Sequence, residues 1–331
     1  MSERVRKRPL TRERLLAALS TEAFRSGAAL AEQLEISRAA VWKQLEVMES
    51  AGLGLERRRG QGYRLKHPVD LLDPAVIARA MGASARAEIE LQLWERVDST
   101  SLILDEAPRQ ATAQACLAEA QVAGRGRRGR GWVSAYGAGL PLSLRWRFDA
   151  LAAGLSGLAP AVAVSLADAL EALGARDLGL KWPNDVHCAD GKLAGILIEL
   201  RGEPTGPCQV IIGMGINWAA PWQAVDQAVA GLGSVFDGDL PSRSRLAGQV
   251  LRQLHEDLPR FAEAGFPAFS PGWARRDVLH GKPVRLDWGQ GSCEGIARGL
   301  DEEGGLCIEE ASGAQRSWQV GEASVRPREE A

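Results

Sequence analysis

Paired cysteines are missing from this sequence. Its five cysteines, Cys116, Cys188, Cys208, Cys293 and Cys307, are scattered, odd in number and without a CxxC pair, and its four histidines do not cluster near them. That points away from a disulfide framework and from a zinc site, and toward a reducing, cytoplasmic setting; no metal-ligating residues are expected. No signal peptide is expected either, because the opening MSERVRKRPLTRER holds no hydrophobic run. No membrane span is expected. Ala150 to Ala167 is uncharged over 18 residues, but it is rich in Ala and Gly with Pro160 inside, and it reads as buried helix. What remains, 45% hydrophobic and 25% charged over 331 residues, is the composition of a globular protein of two or three domains.

The net charge of −2 conceals an asymmetry. Residues 1–66 hold 14 Lys and Arg against 8 Asp and Glu, leaving 26 against 34 for the rest. A basic module is joined to an acidic one, and basic modules suit phosphate backbones. In the basic part, Thr11 can cap a first helix with Leu15, Leu16 and Leu19 on one face, and Gly27 opens a second with Leu30 and Leu34 inward. Ser37 caps a third, running from Arg38 to about Ala51 with Val41, Leu45 and Met48 inward and Gly52 ending it. The run LERRRGQGYRL then reads as a basic hairpin turning at Gly60-Gln61-Gly62. Three helices and a basic hairpin make a winged helix-turn-helix, with Arg38, Lys43 and Gln44 on the third helix and Arg58 and Arg59 on the wing as DNA-binding candidates. The alternative is a solvated three-helix domain that contacts protein. His67-Pro68 opens a linker.

From about residue 70 to 270 strand-like and helix-like runs alternate, as in an α/β domain with a central mixed sheet. Strands are expected at 91–97, 116–121, 140–148, 192–200 and 208–217, and helices at 161–173 and 243–264. The run GRGRRGR, Gly124 to Arg130, alternates glycine and arginine. Glycine lets main chain approach a ligand, and arginine forks onto phosphate or carboxylate oxygens. The other reading, a nucleic-acid-binding basic loop, fits less well between apolar strands. Next, KWPND (181–185) sets Lys181, Asn184 and Asp185 around a stiff Trp-Pro turn, and Lys192 opens the following strand. Beyond 275, short strands at roughly ten-residue spacing around the turn Asp301–Gly305 suggest a small β-barrel.

VDSTS (97–101), GRGRRGR, KWPND, GKLAGILIE (191–199) and GMGIN (213–217) stand in the order and spacing of bacterial biotin protein ligases, and the chain resembles that family over nearly its whole length. SRAAVWKQLE and RGQGYRL look like the amino-terminal domain of the bifunctional type, which also represses the biotin operon. The resemblance, not composition or spacing, implies biotin. It implies a multidomain α+β chain: winged helix over 1–66, α/β ligase domain over 70–270, and SH3-like barrel over 275–331. It implies that ATP, with Mg²⁺, activates biotin to biotinyl-5′-AMP, and that a lysine of the biotin carboxyl carrier protein of acetyl-CoA carboxylase takes the acyl group. Biotin would be bound by Ser99, Thr100, Gln121, Gly124, Arg125, Gly126, Arg127, Lys192, Gly195 and Gly213. The ATP or adenylate site would hold Arg127, Arg130, Lys181, Asn184, Asp185 and Asn217, with Lys192, Arg127 and Lys181 as the catalytic cations. Ser101 and Val122 depart from the family pattern, and 218–232 matches poorly; Trp218, Trp222, Val225 and Val229 are candidates there for covering the adenine. The resemblance also implies operator DNA as partner and a homodimer when biotinyl-AMP is bound, joined through sheet edges such as Cys208–Gly213. Two rivals stand beside this reading. A lipoate-type ligase should lack the winged helix and the arginine loop, and a non-catalytic ligand-sensing regulator would not need Arg127, Lys181 and Lys192.

Overall fold

The computed structural model describes residues 4–5, 10–108, 113–151, 154–201, 207–220, 228–288, 291–319 and 324–327. The amino-terminal module follows the apolar periodicity. After a two-residue strand β1 (Arg4–Val5) come α1 (Leu10–Ala18), α2 (Gly27–Leu34) and α3 (Arg38–Ser50), then β2 (Leu55–Arg58) and β3 (Gly62–Leu65). Helix α1 begins at Leu10, so Thr11 falls within it, and the residue ahead of the helix lies outside the described residues. Ser26 and Ser37 each accept an amide hydrogen bond at the head of the next helix, the usual answer to unpaired first-turn donors. Leu15, Leu30, Val41, Leu45 and Met48 close the core at 0–1% exposure. β2 and β3 pair as a hairpin, and Arg25 and Tyr63 exchange main-chain bonds that tie it to the helices. Tyr136 and Ala120 of the central domain complete the same apolar cluster.

The central domain contains α4 (Pro74–Glu88), β4 (Ile89–Val97), α5 (Thr100–Glu106), β5 (Ala113–Arg125), β6 (Gly131–Ser134), β7 (Leu140–Phe148), α6 (Leu158–Glu171), β8 (Gly179–Lys181), β9 (Asp185–Cys188), β10 (Gly191–Arg201), β11 (Cys208–Ile216), α7 (Arg243–Ala264) and α8 (Ser270–Ala274). Its mixed sheet runs β1-β4-β5-β7-β11-β10-β9-β8, with β6 beside β5; β1, β4 and β5 are parallel and the other pairings antiparallel. Strand β11 lies inside this order, between β7 and β10, so Cys208–Gly213 is no sheet edge. That corrects the expected dimer contact: both rows of main-chain groups are already used.

Alternation along the strands gives the sheet two different faces. Leu140, Leu142 and Leu144 of β7 and Val210, Ile212, Met214 and Ile216 of β11 belong to one core with residues of α4, α6 and α7. The intervening residues, Ser143, Gly213 and Gly215, face the other way. Of the uncharged stretch, residues 158–167 lie in the buried α6, and among the described residues no helix is long and apolar enough to cross a membrane. The final strands β12 (Pro283–Trp288), β13 (Gly291–Leu300), β14 (Leu306–Glu309), β15 (Gln315–Trp318) and β16 (Ser324–Pro327) form an antiparallel sheet ordered β15-β14-β13-β12-β16. The turn before β14 rests on the central domain, where Trp182 donates its indole N–H to the Gly304 carbonyl at 3.1 Å.

Candidate functional site

Strand register assembles the site from residues far apart in sequence. Lys181 pairs with Asp185, Asp185 with Gly195, and Gly195 with Gly215, so one lateral row crosses β8, β9, β10 and β11. Directly opposed residues share a face, and this is the face without the helix-side core. A second row on that face pairs Gly213 with Ser143 and Ser143 with Cys116. Glycine here leaves main chain bare, and the space is claimed from above. A Cβ on Gly215 would come within 2.1 Å of the Trp132 ring, and one on Gly195 within 3.0 Å of it.

One end of this floor is a hydroxyl and amide cluster at the start of α5. The Thr100 amide and hydroxyl both donate to Gln121 Oε1, at 2.7 and 2.9 Å. Ser143 Oγ lies 2.7 Å from Thr100 Oγ1 and 3.0 Å from Ser101 Oγ. Ser99, Thr100, Ser101 and Ser143 are all buried, and the Ser99 hydroxyl makes no capping bond although it stands at the N-cap. The sequence missed Ser143, whose signal was a lone hydroxyl within the apolar run LPLSLRW. It missed Trp132 as well, two residues beyond the arginine run.

The other end is cationic. The arginine run is less of a loop than expected: Gly124 and Arg125 still belong to β5, facing Trp132 and Gly131 of β6. Only Gly126 to Arg130 turns, closed by the Gly126 amide on the Arg130 carbonyl at 2.7 Å, with Arg128 and Gly129 at positive φ. Arg127 reaches Asn184, its guanidinium donating to Oδ1 at 3.4 Å. Burial lowers the Arg127 pKa; Asp185 opposes that shift, while Arg128 and Arg130 add to it. Lys192 Nζ lies 2.7 Å from Asp185 Oδ1 and 5.4 Å from the centre of the Trp132 ring. Burial pushes the Asp185 carboxyl up, but His187 and Lys192 outweigh it and hold it below the ordinary value. The backbone under Lys192 is fixed: its amide donates to the Ala228 carbonyl at 3.0 Å, and its carbonyl accepts from Ala230 and from the Asn217 side chain. Arg127, Asn184, Asp185 and Lys192 therefore converge, and Lys181 stands opposite Asp185 in the strand register. Asn217 acts on Lys192 through the main chain. Arg130 is held open to solvent, and the Arg125 side chain pairs with Glu199 at 2.8 Å on the outer surface.

Comparison with known proteins bears on which chemistry this is. The profile described as "Biotin/lipoate A/B protein ligase family" matches residues 93–217, an HTH domain matches 11–64, and the biotin protein ligase C terminal domain matches 279–326. The bifunctional ligase/repressor BirA of Escherichia coli (strain K12) is 36% identical over 320 residues, 96% of this chain and 97% of that one. The chain belongs to the biotin protein ligase family. A biotin–[acetyl-CoA-carboxylase] ligase of Mycobacterium tuberculosis is 35% identical over 209 residues, 58% of this chain and 72% of that protein. The solved biotin protein ligase from Aquifex aeolicus in complex with biotin and ATP shares the fold with a TM-score of 0.62 at 29% identity, covering 72% of this chain and 99% of that one.

The ligase match spans every residue of the glycine floor, the hydroxyl cluster and the cationic end. The helix-turn-helix match spans the basic face, where Arg38, Lys43, Arg58 and Arg59 are exposed. Arg58 stacks on Phe24 at 4.7 Å. Gln44 departs from the expectation: it is half-buried and accepts from Arg12 Nε at 2.5 Å, while Arg12 also pairs with Glu95 of β4. Its side chain is turned toward the ligase domain rather than presented with Arg38 and Lys43. In the poorly matching segment, Trp218 donates to the Pro241 carbonyl at 3.1 Å and Val229 bridges to Lys192. Trp222 and Val225 lie outside the described residues.

Proposed function

We propose that this ligase activates biotin with ATP, passes it to a lysine of the biotin carboxyl carrier protein of acetyl-CoA carboxylase, and represses transcription as a DNA-binding homodimer when biotinyl-5′-AMP is bound. The observation that carries the enzymatic reading is the gathering of Arg127 and Lys192 around Asn184 and Asp185, with Lys181 opposite Asp185 in register, beside a floor of bare main chain. Ser99, Thr100 and Gln121 hold the polar bicyclic head of biotin, with Ser143 fixing the Thr100 hydroxyl. Main chain at Gly124, Arg125, Gly126, Gly195 and Gly213 lines the same pocket. Lys192 and Arg127 neutralise charge where the biotin carboxylate attacks the α-phosphate, and Lys181 and Asn184 meet the phosphates of the leaving pyrophosphate. Asp185 orients Lys192, Asn217 fixes the strand beneath it, and Arg130 closes over the adenylate once it forms. A carrier lysine then attacks the mixed anhydride, giving an amide and AMP.

The donor set suits a metal that rides on phosphates, since among the described residues no three His, Cys, Asp or Glu side chains converge. Mg²⁺ would supply charge neutralisation for the triphosphate when bound, with Lys181, Asn184 and Asp185 nearest to it. We place the domain bounds at 1–66, 70–270 and 275–331, and the site of action in the cytoplasm. Mass spectrometry of the protein mixed with biotin and MgATP tests the ligase reading: bound biotinyl-AMP is expected, and its absence overturns it. Gel shifts with and without biotin test the repressor reading, which requires ligand-dependent, salt-sensitive DNA binding. Sedimentation in the same two conditions tests the homodimer.

A further inference from the structure

Trp42 is left open to solvent. Among the described residues it and Val122 are the large apolar side chains that remain exposed, Trp42 at 47%. It sits on α3, whose inward face is spent on Val41, Leu45 and Met48 at 0% exposure. The outward stripe is Arg38, Ala39, Trp42, Lys43 and Glu46, all exposed and spaced so that they share one side of the helix. No acidic residue occupies the first turn, and the wing beside it exposes Arg57, Arg58 and Arg59. Arg57 is tied to Glu49 of α3 at 2.5 Å, which keeps wing and helix in fixed relation. An indole between Arg38 and Lys43, beside the basic wing, matches an anionic partner with an apolar patch of its own. The major groove of DNA provides both: phosphates at its rims, and thymine methyl groups on its floor.

The geometry points to Trp42 as a sequence-discriminating contact that packs its ring on a thymine C5-methyl group, with Arg38 and Lys43 on flanking phosphates or base edges. This rests on the reading of the chain as a DNA-binding repressor. Indole carries a single N–H donor and no acceptor, so the discrimination it adds is apolar rather than a hydrogen-bond code. Gln44, turned toward Arg12, leaves that part of the groove to Trp42.

The test uses the full chain with biotin and MgATP. Duplexes are selected from a random pool, and binding is then measured by gel shift on the selected duplex, a scrambled duplex of equal length, and selected duplexes with single thymines replaced by deoxyuridine, which removes only the methyl group. W42A is expected to weaken the selected duplex roughly tenfold and the scrambled duplex less than about twofold. At one position per half-site, deoxyuridine should weaken the wild type several-fold and leave W42A unmoved. W42A should form biotinyl-AMP at the wild-type rate, which shows that its ligase domain is folded, and should keep its binding to the scrambled duplex, which shows that its winged helix is. If W42A keeps the wild-type ratio of selected to scrambled binding, or if deoxyuridine affects both proteins equally, the Trp42 contact is wrong while DNA binding stands. If the wild type enriches no sequence and shifts no duplex, the DNA-binding reading fails and takes this contact with it.

Discussion

Arginine is used in opposite ways in two regions of this ligase. At the seams of the fold it is buried and surrounded. Arg145 donates to the carbonyls of Leu104, Ala107 and Pro108 at the end of α5, and Arg243 reaches Glu119 and the Asp70 carbonyl at 2.6 Å each. Arg276 binds both Asp168 and Glu171. In the turn from Gly126 to Arg130 the chain does the reverse, crowding arginines that repel one another on a glycine-rich hairpin. Buried arginines with carbonyl and carboxylate partners hold segments together; the crowded ones, in the function proposed above, bind phosphate. The difference lies in partners rather than residue type: only the turn announces itself in sequence, by its glycines, while Arg145, Arg243 and Arg276 stand in ordinary runs.

The largest effect should come from breaking a seam. Glu119→Gln leaves the Arg243 charge buried without its carboxylate and weakens the tie to Leu72. A loss of about 3–5 kcal/mol is expected in urea unfolding followed by tryptophan fluorescence. At the cleft the cost should appear mainly in rate. Lys192→Met should slow adenylate formation by roughly a hundredfold or more, about 3 kcal/mol of transition-state stabilisation, and should lower the unfolding midpoint by less than the seam variant does, because Asp185 loses its partner at a site less buried than Glu119. A pyrophosphate-release assay reads the first number and the same urea titration the second. Between them lies the floor: Gly215→Ala must push Trp132 aside, and a rise of roughly tenfold in the KM for biotin is expected, about 1.4 kcal/mol. The smallest change sharpens the contrast. Arg130→Ala should move stability by no more than about 0.5 kcal/mol, as for an ordinary surface site, yet release biotinyl-AMP faster in a dilution chase. An unchanged release rate would remove Arg130 from the adenylate site.

Local signals carried far in this sequence. Apolar spacing and capping residues revealed α2, α3, α7 and the wing, because those elements are decided by neighbours a few positions away. The charged motifs were legible for the same reason: Lys181, Asn184, Asp185 and Lys192 fall within a dozen positions. Elements whose pattern is weak were not. Helix α4 is rich in alanine and interrupted by Gly82, which takes positive φ, so its apolar face is faint. Helix α5 is short and begins inside a motif read for its hydroxyls. Long-range facts were out of reach. Nothing near Gln44 announces that Arg12 will draw it toward Glu95, nor does Cys208–Gly213 reveal that strands claim it from both sides. Ser143 becomes meaningful only when register sets it beside Thr100.

Tyr136 has a consequence for anyone wishing to graft heads between such enzymes. Its ring is 2% exposed and sits among the leucines of the winged helix, while its amide donates to the Ala51 carbonyl at 3.2 Å. A transplanted amino-terminal module would therefore arrive with a hole in its wall unless the host supplies a matching aromatic at that corner. The chimera boundary that looks natural at His67-Pro68 cuts through one shared interior.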